Sequence, residues 1–135
     1  MQFEKMVVLL KTAENVQEID SCREEIAEWI PKVRIMFEYD QQNEAHQYDL
    51  WMHCLHTVVG LPRNLEDDML YVAALLHDIG KPDCQVPGKR PDDKDMHYYG
   101  HPVRSKEIVE TEVIPFLMKK GADLSEEDRK RLIYY

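Results

Sequence analysis

No stretch of this chain approaches the eighteen or so apolar residues that a membrane span requires, so no membrane association is expected. The first ten residues, Met1 to Leu10, hold one short apolar stretch from Met6, with Glu4 and Lys5 before it. No small-residue cleavage site follows, and a signal peptide is not expected. Cysteine is scarce and unpaired in pattern. Cys22, Cys54 and Cys84 are odd in number, spread out, and include no Cys-x-x-Cys pair, which excludes a disulfide framework and argues for a reducing, cytoplasmic setting with the thiols as packing residues. Only five glycines and seven prolines occur in 135 residues, so neither a disordered nor a fibrous chain fits, and the Gly-x-x-x-x-Gly-Lys pattern of a phosphate-binding loop is missing. Positive charge is also short. Lys and Arg number 17 against 26 Asp and Glu, a net −9 that repels a nucleic-acid backbone unless basic groups gather on one face.

One such gathering exists. Between Lys81 and Lys106, six basic residues (Lys81, Lys89, Arg90, Lys94, Arg104, Lys106) meet four acidic ones (Asp83, Asp92, Asp93, Asp95). The sign reversal falls beside His77-Asp78, a pair that ends an apolar run. With His53 upstream and His101 downstream, three imidazoles and a carboxylate occupy 49 residues. That donor set suits a divalent ion, Mn, Fe, Co, Ni or Zn through the imidazoles and Mn or Mg through the carboxylate. Metal-assisted hydrolysis is the reading it favours.

The chain is long enough for one domain that buries roughly two thirds of its unfolded surface. Apolar residues at spacings of three and four predict helices over about 2–14 and 17–30, carrying Phe3, Met6, Val7 and Leu10, then Ile19, Cys22, Ile26, Trp29 and Ile30. Pro31 can open a third helix reaching about Tyr39. A fourth, from about Tyr48 to Gly60, places Leu50, Trp51, Cys54, Leu55, Val58 and Val59 on a core face and Asp49, His53 and His56 on another stripe. The fifth, from about Glu66 to Asp78, is apolar nearly all round after its acidic first turn and should be the central buried helix. Gly80 is expected to end it in a left-handed cap, with Pro82 blocking continuation.

A polar loop, Lys81 to Gly100, then leads to a sixth helix opening at His101-Pro102, kinked or split by Pro115 and closed by Gly121. Ser125 and Asp128 form a capping box that starts a last helix. The expectation is an all-α bundle of about six to seven helices in one domain, with a helical extension over about 1–40 and a metal-site core over about 46–120.

Individually, each candidate has an ordinary reading. A lone helical histidine such as His53 usually packs or touches solvent, and Lys81 can simply extend from a helix end. Yet a carboxylate and an imidazole closing so apolar a helix are costly without a partner ion or proton. Lys81, four residues past His77, can also hold a phosphate oxygen. His97, in the His97-Tyr98-Tyr99 cluster, is a candidate pocket residue, whereas His46 and His56 are not assigned as ligands.

These residues resemble the HD-domain metal-dependent phosphohydrolases. Asp49-Leu-Trp-Met-His53 and Ala74-Leu-Leu-His77-Asp78-Ile-Gly-Lys81-Pro82 are similar to that family's first two elements. Gln42-Asn-Glu-Ala-His46-Gln-Tyr-Asp49, His53-Cys-Leu-His56-Thr57 and His97-Tyr-Tyr-Gly100-His101 resemble more narrowly the HD region attached to bacterial tRNA nucleotidyltransferases, the CCA-adding enzymes and poly(A) polymerase relatives. The likeness runs from about Ile30 to Leu117. The nucleotidyltransferase head, with its carboxylate pair on a sheet, has no counterpart here, so nucleotide addition is not implied.

What the resemblance implies is a metal-dependent phosphohydrolase with His53, His77 and Asp78 as metal ligands. Lys81 and Arg104 would assist electrostatically at the substrate, with His97 beside them. His101 would bind a second ion or donate a proton to the leaving oxygen. The family's distal Asp, on a late helix, has no match up to Arg131-Leu-Ile-Tyr-Tyr135. Its place would be filled from beyond Tyr135, by water, by His101 or by a substrate oxygen. A small phosphomonoester such as a nucleotide, or a cyclic phosphodiester, is the expected substrate class. The acidic chain argues against long RNA, while the local basic rim leaves a tRNA end open. The competing expectation is a non-catalytic metal- or ligand-binding module, or an RNA-associated helical one.

Overall fold

Among the described residues, the side chains of Asn15, Asp49 and Ser125 each cap the start of a helix. In the computed structural model, which describes residues 1–42, 48–88, 90–92 and 95–135, α1 spans Phe3–Thr12 and buries Phe3, Met6, Val7 and Leu10. His46, with Lys89, Asp93 and Lys94 of the basic gathering, lies outside the described residues.

The single helix expected over 17–30 is two: α2 (Val16–Asp20), capped by the Asn15 side chain accepting from the Glu18 amide, and α3 (Arg23–Trp29). Local and long-range bonds make the break. Ser21 Oγ donates back to the Glu18 carbonyl at 2.9 Å, an arrangement that competes with helix continuation. Asp20 takes hydrogen bonds from Arg23 and from the Trp51 indole at 2.9 Å. Pro31–Met36 forms a 3₁₀ segment rather than a helix to Tyr39, because Ile30 before the proline is non-helical and Glu38 has a positive φ.

The helix α4 (Leu50–Gly60) opens on Asp49, whose carboxylate accepts the Met52 amide at 2.7 Å, so Asp49 is a cap rather than a member of the histidine stripe. Leu50, Trp51, Cys54, Leu55 and Val58 are buried as the periodicity requires. Beside it lies α5 (Asp68–Leu76), in contact with α4 and α1 and the centre of the packing.

Gly80 corrects an expectation: its φ is −83°, right-handed, so it does not end α5 by a left-handed cap. The chain instead passes through tight turns, with Ile79 bonding back to Leu76 and Lys81 to Asp78, into the short helix α6 (Lys81–Cys84), with Pro82 in its first turn. Glycine is needed there for space. A Cβ on Gly80 would lie 2.5 Å from the Ser105 nitrogen, and the Gly80 amide donates to Ser105 Oγ at 2.8 Å. This contact brings the helix that carries His101 against the end of α5.

The expected loop over 81–100 thus holds α6 and a two-stranded antiparallel ribbon, β1 (Val86–Pro87) with β2 (Met96–His97). Helix α7 (His101–Ile108) then continues through a π turn, Val109–Val113, into α8 (Ile114–Lys120). The wide turn accommodates Pro115, which can neither donate a helical bond nor tolerate the normal carbonyl beneath its ring. Gly121, at φ +106°, closes α8 as expected. The last helix, α9 (Glu126–Tyr134), carries the capping box of Ser125 and Asp128, both bonds at 3.0 Å, and packs on α5.

The described chain is mostly helical, with only that two-stranded sheet, and its buried apolar cluster runs from Phe3 to Leu132, so the first forty residues share the core of the rest. Among the described residues no helix is long and apolar enough to cross a membrane.

Candidate metal centre

Asp78 is the hub. It sits in the turn after α5, is 5% exposed, and offers both carboxylate oxygens to a ring of cations and imidazoles. His53, one turn into α4, places Nε2 3.0 Å from Oδ2. His77 places its own Nε2 3.0 Å from the same oxygen. His101, at the start of α7, puts Nε2 3.0 Å from Oδ1. Lys81 completes the ring with Nζ 3.4 Å from Oδ2. Residues separated by up to 48 positions are thereby gathered round one group, which is what the donor set in the sequence anticipated.

The residues present fit a metal ion on three grounds. Ligands held at about 2.1 Å from an ion stand about 3 Å apart at adjacent positions, and both imidazole nitrogens lie at that spacing from Asp78 Oδ2, with the three donors all within 4.8 Å of one another. Second, the imidazoles are aimed. His77 Nδ1 lies 2.6 Å from the Ala74 carbonyl and His101 Nδ1 2.8 Å from the Tyr98 carbonyl. A carbonyl only accepts, so each Nδ1 carries a hydrogen and each Nε2 is the nitrogen turned to the site, the support that metal-bound histidines usually have. Third, His77 and Asp78 follow directly on the C-terminal end of α5, and that end of a helix attracts positive charge. The cluster of His53, His77 and Asp78 could therefore hold a divalent ion, with His101 on the other carboxylate oxygen.

The electrostatics agree. Burial alone would push the Asp78 carboxyl up, but hydrogen bonds from His53 and His77 and the charges of His77 and Lys81 hold it well below the usual carboxylate range. Burial would lower His77, yet its bond to Asp78 and the nearby Cys54 raise it from 6.5 to about 10. The direction favours the protonated form of His77 in the metal-free protein, with an Nε2 proton where a metal cation would compete. Cys54 is fully buried in α4, and burial pushes its thiol up, in keeping with a packing role.

Other expected site residues are placed differently from one another. Lys81 is 5% exposed; its ammonium donates to Gln41 Oε1 at 2.8 Å and lies 5.4 Å over the Tyr98 ring, behind Asp78 rather than in open solvent. Arg104 is engaged by carboxylates, with Nε 2.6 Å from Asp83 and further pairs to Glu107 and Glu112. His97 lies on β2 with its ring stacked on Tyr99. His56 stacks on Tyr48, centroids 4.2 Å apart, away from the ligand role it was not given.

Several contributors escaped the sequence. Gln41, buried and bonded to Lys81, to the Tyr48 carbonyl and through its own carbonyl to the Tyr98 hydroxyl, organises the rear of the site. Tyr98 also aims His101, and Ser105 receives the Gly80 amide. The two histidine-to-carbonyl bonds span three residues each, a local signal that was readable; Gln41 had none. A cleft of about 400 Å³ opens on the other side of His77, Asp78 and His101, walled by α7 and by Tyr134 and Tyr135 at the end of α9.

No family model, curated protein or solved structure matches this chain. The class that fold and site define is therefore stated from the geometry: a mostly helical protein with a His/Asp cluster that could hold a metal ion.

Proposed function

We propose that the chain is an HD-type metal-dependent phosphohydrolase acting on a small phosphomonoester such as a nucleotide, or on a cyclic phosphodiester. The observation that carries this reading is the convergence of three Nε2 atoms on the one buried carboxylate of Asp78 beside an open cleft. A bound divalent ion supplies Lewis-acid polarisation of a phosphoryl oxygen and water that ionises near neutral pH. His53, His77 and Asp78 would hold it. Lys81, paired with Asp78 and clamped by Gln41, keeps the carboxylate ionised and turned to the site. His101 can hold a proton at Nε2 and pass it to the leaving oxygen, since its Nδ1 is committed to the Tyr98 carbonyl.

A second reading, a metal- or ligand-binding module without turnover, draws on the two cations expected to meet substrate: Lys81 is buried and Arg104 is taken up by carboxylates. Phosphate release from a panel of nucleoside monophosphates and cyclic nucleotides with Mn, Co, Ni or Mg separates the readings. Metal-dependent release that vanishes in Asp78→Ala supports the hydrolase. A folded, metal-binding wild type that releases nothing across the panel refutes it.

A further inference from the structure

With Lys81 buried and Arg104 engaged, a phosphoryl group in the cleft needs another cation. Among the described residues that line the cleft, Lys106 is the one lysine or arginine. It lies on α7 with His101, Pro102 and Ser105, four residues beyond Pro102 and therefore on the same helical stripe, about 7.5 Å along the axis from His101. Its ammonium stands 4.8 Å over the Tyr134 ring, at the opposite wall, and it enters no ion pair among the described residues. A cation–π contact of this kind limits the rotamers of a long side chain without neutralising its charge. The ring thus holds the ammonium at the cleft while leaving its charge for an anion.

We infer that Lys106, propped on Tyr134, is the residue that recognises the phosphoryl oxygens of the ligand in this cleft; the assignment rests on the metal-dependent reading above. The charge arithmetic favours a dianion. A divalent ion together with Asp78 and its paired Lys81 carries two net positive charges, Lys106 adds a third, and a phosphomonoester above its second ionisation near pH 6 brings two negative charges to meet them. In a chain of net charge −9, this cleft would be a local positive well.

The test is calorimetric titration of the full chain, loaded with Mn, with inorganic phosphate. Lys106→Met, which keeps the stem over the ring, and Lys106→Ala should both weaken phosphate binding about 10-fold to 100-fold, the loss of one charge-assisted bond. Lys106→Arg should stay within about fivefold, and Lys130→Ala, an exposed lysine on α9 paired to Glu126, should match wild type. Mn affinity should be the same in all. Phosphate binding that is unchanged in both neutral variants, or absent from the Mn-loaded wild type, overturns the inference. The two proposals fail separately: phosphate binding that depends on Lys106 without hydrolysis of any phosphoester ends only the hydrolase reading. Asp78-dependent turnover with a KM indifferent to Lys106 ends only this one.

Discussion

Replacing Gly80 by alanine tests the geometry that assembles the site. Judged by backbone alone the change should help: Gly80 has φ −83° in a right-handed turn, where alanine is at ease and typically adds about 0.4–1 kcal/mol by restricting the unfolded chain. The packing says the reverse. The new Cβ would meet the Ser105 nitrogen at 2.5 Å and the Arg104 carbonyl carbon at 2.9 Å, and both are backbone atoms that cannot rotate away. Helix α7 must shift by about 0.9 Å to take the 2.5 Å approach to an ordinary 3.4 Å contact, stretching the Gly80-to-Ser105 bond of 2.8 Å and drawing His101 from Asp78. Overpacking of this kind costs about 1–3 kcal/mol. Because a 135-residue domain loses about 4 °C per kcal/mol, Gly80→Ala should melt roughly 4–12 °C below wild type. The assay is urea and thermal unfolding followed by the fluorescence of Trp29 and Trp51, with the denaturant slope unchanged. A variant as stable as wild type, or more so, would refute the close approach of α6 and α7.

The remaining predictions concern the ion and the frame. Asp78, depressed in the folded state, contributes stability present above its ordinary value of 3.8 and lost as pH falls below it; His77, raised from 6.5 to about 10, contributes stability fully present below pH 6.5 and lost as pH rises toward 10. Metal-free protein should therefore be held best by this pair between about pH 4 and 6.5, which a series of thermal melts would read. Mn must displace the His77 Nε2 proton, which the folded chain holds up to about pH 10, so its affinity should climb with pH until about 10, with about one proton released. Calorimetry in buffers of different ionisation enthalpy counts that proton, and none at pH 8 would contradict the assignment. His101→Ala should keep Mn binding within a few fold, since His101 faces the other carboxylate oxygen, while turnover falls about 100-fold or more. Arg63→Ala removes bonds to the carbonyls of Leu10, Ala13, Val58 and Leu61 and should cost about 3 kcal/mol with metal affinity unaltered, as urea unfolding and Mn titration would report.

Much of this protein is written locally. Apolar spacing placed α1, α4 and α5 within a few residues, and the Ser125–Asp128 box and Gly121 marked helix ends correctly, because caps and amphipathic faces depend on neighbours three or four positions away. The donor set was legible for a different reason: a carboxylate and imidazoles closing an apolar helix are expensive to bury alone, so their presence in the sequence already demands a partner. What the chain could not declare in one dimension was decided by packing between distant segments. Asp20 reaching Trp51 accompanies the break between α2 and α3, and Gly80 serves Ser105 rather than a turn. Lys81 turns inward to Gln41, Arg104 is claimed by Asp83, and Lys106 is left facing the cleft. Each of those outcomes depends on which backbone lies within a few ångströms, a quantity set by the whole core, so charge and spacing along the chain identified the cluster round Asp78 while tertiary structure chose which cation faces the space beside it.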